Sequence, residues 1–305
     1  MNTTRVLSFG SLAIVALSGA AMAQPPGVTM EDIGRQLPLE GAPLAVPGPY
    51  EVVSEPAYGL PSHIVFRPAD LSAFPNNDTL PVMAWGNGGC AIDGRRYGDF
   101  LSTIASHGFL VLTTVPVEGQ ERGRGVSDNM ITAFDWAESE NARRGSPLRG
   151  KVATDQMSAM GQSCGGFMSV GAGSDPRVGT IGMFNSAVSA PNPNAPGGGN
   201  ANTDDLADLH GPVLMINGGE VDFMYEPAQQ NYELIDHLPV FYGARENAGH
   251  TATVFHPGGG EYANVASNWL RYVFKDDAQA GDMFVGANCS LCTNSNWETM
   301  SKGLD

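Results

Sequence analysis

The chain of 305 residues is 42% hydrophobic, 8% aromatic and only 16% charged, too apolar for a disordered protein and long enough for one substantial core. Its 39 glycines and 21 prolines argue for many tight turns and against a coiled coil. Thirty-two acidic residues oppose 16 Lys plus Arg, a formal charge of −16, and lysine occurs only at Lys151, Lys275 and Lys302. A basic face able to neutralise phosphates can hardly be built from these, so no nucleic-acid partner is expected and the field favours neutral or cationic ligands.

At the N-terminus Arg5 supplies a weak positive charge, residues 6–17 are apolar, and Ala21-Met22-Ala23 is a small-x-small cleavage site. This pattern predicts a signal peptide over residues 1–23, cleaved after Ala23, and a secreted or periplasmic protein; a retained anchor is the alternative. The apolar run is short for a bilayer, and no later stretch reaches about 18 apolar residues, so no membrane span is expected. Residues 24–47 read as a Pro-rich arm.

Strand-like segments follow at 50–53 and 63–66, parted by turn residues. From residue 80 the rhythm changes. Apolar runs at 81–85, 109–114, 157–160, 179–184, 213–216 and 240–242 alternate with helix-like stretches at 96–105, 128–142, 166–172, 227–235 and 262–274. The alternation predicts an α/β fold, a mostly parallel doubly wound sheet with helices on both faces. Residues 190–202, rich in Pro, Asn and Gly, read as a loop. One catalytic domain is expected over 48–275, with residues 276–305 as a C-terminal extension. In such sheets ligands bind beyond the carboxyl ends of the strands, so chemistry is sought there.

Gly161-Gln162-Ser163-Cys164-Gly165-Gly166 follows one predicted strand and opens a helix. The Gly-x-Ser-x-Gly pattern alone is weak in so glycine-rich a chain, but strand, turn and helix together are what a nucleophile elbow requires. Ser163 is the candidate nucleophile. A serine hydroxyl needs a base within hydrogen-bond reach and a third group to orient that base. Of six histidines, His63, His107, His210 and His237 fall in strands, turns or a helix end and read as structural. His250 lies in a small-residue loop between the last predicted strand and last helix and is the candidate base, with His256 as rival. The acid is sought in Asn217-Gly218-Gly219-Glu220-Val221-Asp222. Asp222, with the shorter and stiffer side chain, is preferred to Glu220. Ser163, Asp222, His250 is the chain order of one known triad class and not of the chymotrypsin or subtilisin type.

Acyl transfer places negative charge on a carbonyl oxygen, which two backbone N–H groups can stabilise. The Cys164 N–H is one candidate; Cys90 or Gly89, in Gly86-Asn87-Gly88-Gly89-Cys90, supplies the other. Four cysteines in an exported chain suggest two disulfides. Cys289 and Cys292 are placed for a local clasp, which leaves Cys90 with Cys164 and would tie the two halves of the oxyanion site together. Two buried, unbonded cysteines are the alternative. A zinc site would need two close pairs, and a thioredoxin-like role would need the Cys-x-x-Cys between a strand and a helix. Trp85, Phe184 and Phe223 are candidate acyl-pocket residues from their place after strands.

On the Gly-Gln-Ser-Cys-Gly-Gly elbow, Gly48-Pro49-Tyr50, Ile104-Ala105-Ser106-His107-Gly108-Phe109 and Gly150-Lys151-Val152, the chain resembles the α/β-hydrolase family over residues 48–275. More narrowly it is similar to the bacterial cutinase, polyester hydrolase and dienelactone-hydrolase-like branch. The resemblance implies the α/β-hydrolase fold, ester hydrolysis through an acyl-enzyme, no metal, no organic cofactor and little or no lid. It also puts Cys90 where that branch carries the aromatic residue whose N–H serves the oxyanion. Gln162 and Cys164 stand where polyester hydrolases of this type carry an aromatic or His and a Met, and no Trp occurs in Phe184-Asn185-Ser186-Ala187-Val188; the resemblance thus implies ester hydrolysis and leaves aromatic polyester activity open. The expected substrate is a neutral small-molecule or polymeric ester. A dienelactone-like or other C–O or C–N hydrolase is the alternative, and a non-catalytic secreted binding protein a more distant one.

Overall fold

A computed structural model describes residues 39, 41–119, 123–191 and 201–304. The expected signal peptide, and the expected arm up to residue 38, lie outside the described residues. Nine strands are found among them: β1 (Val52–Pro56), β2 (His63–Pro68), β3 (Pro81–Gly86), β4 (Leu110–Thr114), β5 (Ala153–Gln162), β6 (Val178–Phe184), β7 (Val213–Gly218), β8 (Val240–Arg245) and β9 (Trp297–Lys302). They form one sheet in the order β1-β2-β4-β3-β5-β6-β7-β8-β9. From β4 to β8 every pair is parallel; β1, β2 and β9 run antiparallel at the edges.

A parallel sheet must be covered on both faces, and the apolar residues accordingly divide into two cores. α1 (Gly98–Ser106) and α5 (Gly260–Lys275) cover one face, burying Phe100, Leu101, Ile104, Tyr262 and Trp269. α2 (Ser127–Ala142), α3 (Cys164–Ala172) and α4 (Tyr225–Leu234) cover the other, with Met130, Phe134, Met168, Val170 and Tyr232. The helix expected at 96–105 starts as a single tight turn, Arg95–Tyr97, before α1. β5 is longer than its apolar centre suggests, because its first residues, 153–156, are not fully buried.

Residues 276–305 were expected as an appendage and instead complete the sheet. β9 pairs with β8 from Val240↔Lys302 to Arg245↔Trp297. An edge strand buries little more than one side, so Trp-Glu-Thr-Met-Ser-Lys carries no apolar run; Trp297 alone packs deeply, against Tyr262. Cys289 and Cys292 are paired in the turn leading to it, with Cα atoms 5.0 Å apart.

At the amino ends of the parallel strands the Lys275 ammonium donates to Asp78 (2.8 Å) and faces the carbonyls of Thr79, His107 and Gly108 at 3.0–3.1 Å. It fastens the end of α5 to the starts of β3 and β4. A concavity of about 570 Å³ lies here, bounded by Gly48, Asp78, His107, Arg271 and Lys275, on the rim opposite the strand ends where chemistry is sought.

α3 crosses β3 and β5 so closely that a Cβ on Gly165 would run into the Gly86 carbonyl, and one on Gly161 into the backbone of Gly165. These neighbours are backbone and cannot yield. Gly165→Ala is expected to cost about 1–3 kcal/mol of stability, measured by chemical denaturation.

Two histidines, His63 buried and His107 half-buried, make the fold sensitive to acid. His63 Nε2 donates to the Asn129 carbonyl (3.0 Å) while its Nδ1 accepts from Ser62 Oγ, and His107 Nε2 donates to the Val46 carbonyl. Burial holds both imidazoles below their ordinary proton affinity. The unfolded chain therefore binds more protons, and stability rises with pH across this interval. Stability is expected to fall as pH drops through the ordinary imidazole range, and less steeply in His63→Gln; denaturation midpoints across pH test this.

Candidate active site

The carboxyl ends of β3, β5, β6, β7 and β8 lie along one rim, and backbone bonds continue past the strands into the loops. Ser163 N–H donates to Phe184 O (2.8 Å), Asn185 N–H to Ile216 O (2.7 Å) and Gly219 N–H to Arg245 O (2.7 Å). The first loop residues are thus fixed relative to the sheet. β5 passes into α3 through Ser163 at φ 54° and ψ −121°, a conformation that residues with side chains rarely adopt. Gly166 N–H and the Ser186 hydroxyl both donate to the Ser163 carbonyl, at 2.9 and 2.8 Å, and hold the turn.

The Ser163 Oγ lies 2.9 Å from His250 Nε2, and His250 Nδ1 lies 2.8 Å from Asp222 Oδ1. A carboxylate can only accept, so Nδ1 carries the ring proton and Nε2 is left to accept from the serine hydroxyl. All three residues are buried, Ser163 least so at 7% exposed. Asp222 also accepts from Asn185 Nδ2 (2.7 Å) and from the N–H groups of Gly218 and Met224, both at 3.1 Å. The Phe223 ring covers the imidazole, centroids 4.1 Å apart.

The residues singled out in the sequence thus meet at one point. His256 instead closes a turn onto Thr253, and Glu220 lies on the surface. His63 and His107 are occupied as described, while His210 and His237 face the carbonyls of Asp208 and Leu209. Trp85 and Phe184 do not line the site. They are 2% and 0% exposed and pack with Phe100 on the α1/α5 side, because strand alternation points them to the core face. Of the three aromatic candidates only Phe223 is at the site.

Cys90 and Cys164 are paired, Cα atoms 5.1 Å apart across 74 residues of sequence. Cys164 is the first residue of α3, where an N–H has no helix carbonyl to donate to. Gly89 and Cys90 both have positive φ (66° and 50°), curling the loop after β3 toward the elbow. Among the described residues no group of three or more His, Cys, Asp and Glu is arranged to hold a metal ion, and no helix is long and apolar enough to cross a membrane.

Sequence reasoning missed three polar residues that support the site. Asn185 (φ 47°) donates to Asp222; Gln162 and Tyr97 bridge neighbouring loops. Each is a buried polar group at or just beyond the end of an apolar strand, or in the loop facing it, and that placement was the available signal.

A doubly wound parallel sheet whose strand ends gather a serine, a carboxylate and a histidine in that chain order is the α/β-hydrolase arrangement. Residues 98–300 match the family model described as PETase, PET hydrolase-like. The chain belongs to this family and is an ester hydrolase of the α/β-hydrolase type. The matched region contains Ser163, Asp222 and His250 and begins after Cys90. No curated protein matches the chain.

Asn185→Ala would leave the buried Asp222 carboxylate short of one donor. A loss of about 1–3 kcal/mol at neutral pH is expected from denaturant titration.

Proposed function

We propose that this is an exported serine carboxylic ester hydrolase working through a covalent acyl-enzyme. The observation that carries the reading is the pair of contacts around His250, 2.9 Å to Ser163 Oγ and 2.8 Å to Asp222 Oδ1. His250 takes the hydroxyl proton as Ser163 attacks the ester carbonyl, and returns it to the leaving alkoxide. Asp222 keeps the imidazole in the accepting tautomer and stabilises the imidazolium; the Phe223 face beside the ring favours the same charge. The N–H groups of Cys90 and Cys164 receive the developing oxyanion, and a Cys90–Cys164 disulfide fixes their separation. Water, deprotonated by His250, then releases the acid.

The excess of 16 negative charges supports a neutral ester over an anionic one. The tail disulfide and the sequence of the first 23 residues support export.

A fluorophosphonate is expected to label wild-type protein at Ser163 and to leave Ser163→Ala unlabelled. Asp222→Asn is expected to lower kcat on p-nitrophenyl acetate by about 10⁴-fold, since the amide admits the wrong tautomer. Labelling of Ser163→Ala would contradict the mechanism.

A further inference from the structure

Gln162 immediately precedes the nucleophile, at the last position of β5, and is 3% exposed. Its side chain does not reach the surface of the site. It turns inward and meets two other loops. Gln162 Nε2 lies 2.9 Å from the His250 carbonyl, and Gln162 Oε1 lies 3.0 Å from the Tyr97 hydroxyl. The Tyr97 oxygen lies in turn 2.9 Å from the Gly88 N–H, two residues before Cys90.

The direction of every bond in this chain is forced. A backbone carbonyl only accepts, so the amide nitrogen of Gln162 must face His250. Its oxygen then faces Tyr97, whose hydroxyl must donate to it, and the phenol oxygen is left to accept from Gly88 N–H. Tyr97 is 1% exposed, and burial raises its pKa, which keeps the phenol a donor. The Gln162 carboxamide offers a donor and an acceptor, both uncharged, one to each loop. The space around it is closed: a Cβ on Gly88 would collide with both the Gln162 oxygen and the Tyr97 hydroxyl.

We infer that Gln162 and Tyr97 are positioning residues that hold the histidine loop and the oxyanion loop in register on the nucleophile elbow. The inference rests on the triad reading above and deepens it. The side chain that shares the Ser163 backbone reaches one loop through the His250 carbonyl and the other through Tyr97 to Gly88. A shift of the imidazole away from the serine, or of the Cys90 N–H away from the reacting carbonyl, must break a buried hydrogen bond. The consequence concerns reaction rate rather than binding, because both side chains are buried, at 3% and 1% exposed.

The test uses the full-length protein with p-nitrophenyl acetate and butyrate. Gln162→Met keeps the volume and removes both bonds, Tyr97→Phe removes a single oxygen, and Gln162→Glu keeps the shape while turning a carboxylate oxygen on the His250 carbonyl. Each is expected to lower kcat by about 10- to 100-fold, with KM changed less than about threefold, after normalisation to sites labelled by fluorophosphonate. The double variant Q162M/Y97F should be no slower than the worse single within about twofold, since both cut one chain. A raised KM with unchanged kcat would make Gln162 a wall of the substrate cleft and overturn the inference. So would additive losses, or a Gln162→Glu protein as fast as wild type. Should Gln162→Met fail to fold, Tyr97→Phe decides alone. Wild type that fluorophosphonate does not label at Ser163 would sink the triad reading and this inference with it, whereas labelled wild type with fully active variants overturns the inference only.

Discussion

The positive φ at Ser163 is the constraint around which the rest of the site is arranged. A residue with a side chain in that region costs about 1–3 kcal/mol and persists only where its surroundings determine it. Here they do so from several sides. The Ser163 N–H is bound to the end of β6, its carbonyl receives Gly166 N–H and the Ser186 hydroxyl, and α3 is pressed against β3 and β5 at Gly86, Gly161 and Gly165. The glycines permit that approach; the approach lifts the hydroxyl above the strand ends and puts the Cys164 N–H at the start of a helix. The strain, the close packing and the N–H at the helix start are consequences of one turn.

The partner of that hydroxyl is positioned by a clamp of a different kind. The loop carrying His250 leaves β8 at Arg245 and enters α5 near Glu261, and these two residues form an ion pair, 6% and 5% exposed. Burial pushes the Glu261 carboxyl up and Arg245 opposes it. Such a pair adds little net stability, but its two ends cannot part without leaving a charge unmatched in the interior. Arg245 also donates to the Glu246 carbonyl. The loop is therefore pinned at both ends by charge and in its middle by Asp222 and Gln162. Asp222 is itself buried, and three donors besides the imidazole satisfy its carboxyl oxygens.

The parts of this arrangement that were legible in the sequence are those set by local pattern. Buried parallel strands show as apolar runs such as Pro81-Val82-Met83-Ala84-Trp85, and the elbow shows as glycines spaced around a serine after one of them. Asp222 and His250 could be chosen because the topology says which rim matters. β9 was hidden because an edge strand with one deeply buried residue, Trp297, has no such run. Trp85 and Phe184 were misjudged as pocket residues for a related reason: position along a strand gives the rim, but side-chain alternation gives the face, and both point into the α1/α5 core. Asn185, Gln162 and Tyr97 escaped because a polar residue at a strand end has many possible partners, and only the packing of separate loops selects among them.

The loop after β3 shows how firmly such packing holds a segment in place. The segment from Gly86 to Tyr97 is fastened at successive points: Asn87 bonds to Thr113, Thr114 and the Ala91 carbonyl, Gly88 to Tyr97, and the Cys90 carbonyl to Gly125 N–H, while Cys90 itself is paired with Cys164. Two consecutive residues in the left-handed region would be free to unwind in an isolated loop; here each of their neighbours is held. On the proposed mechanism, N–H groups held in this way require no reorganisation during the reaction. The rigidity of the loop is in this sense the counterpart of the strain at Ser163: each holds one side of the Cys90–Cys164 pair in place.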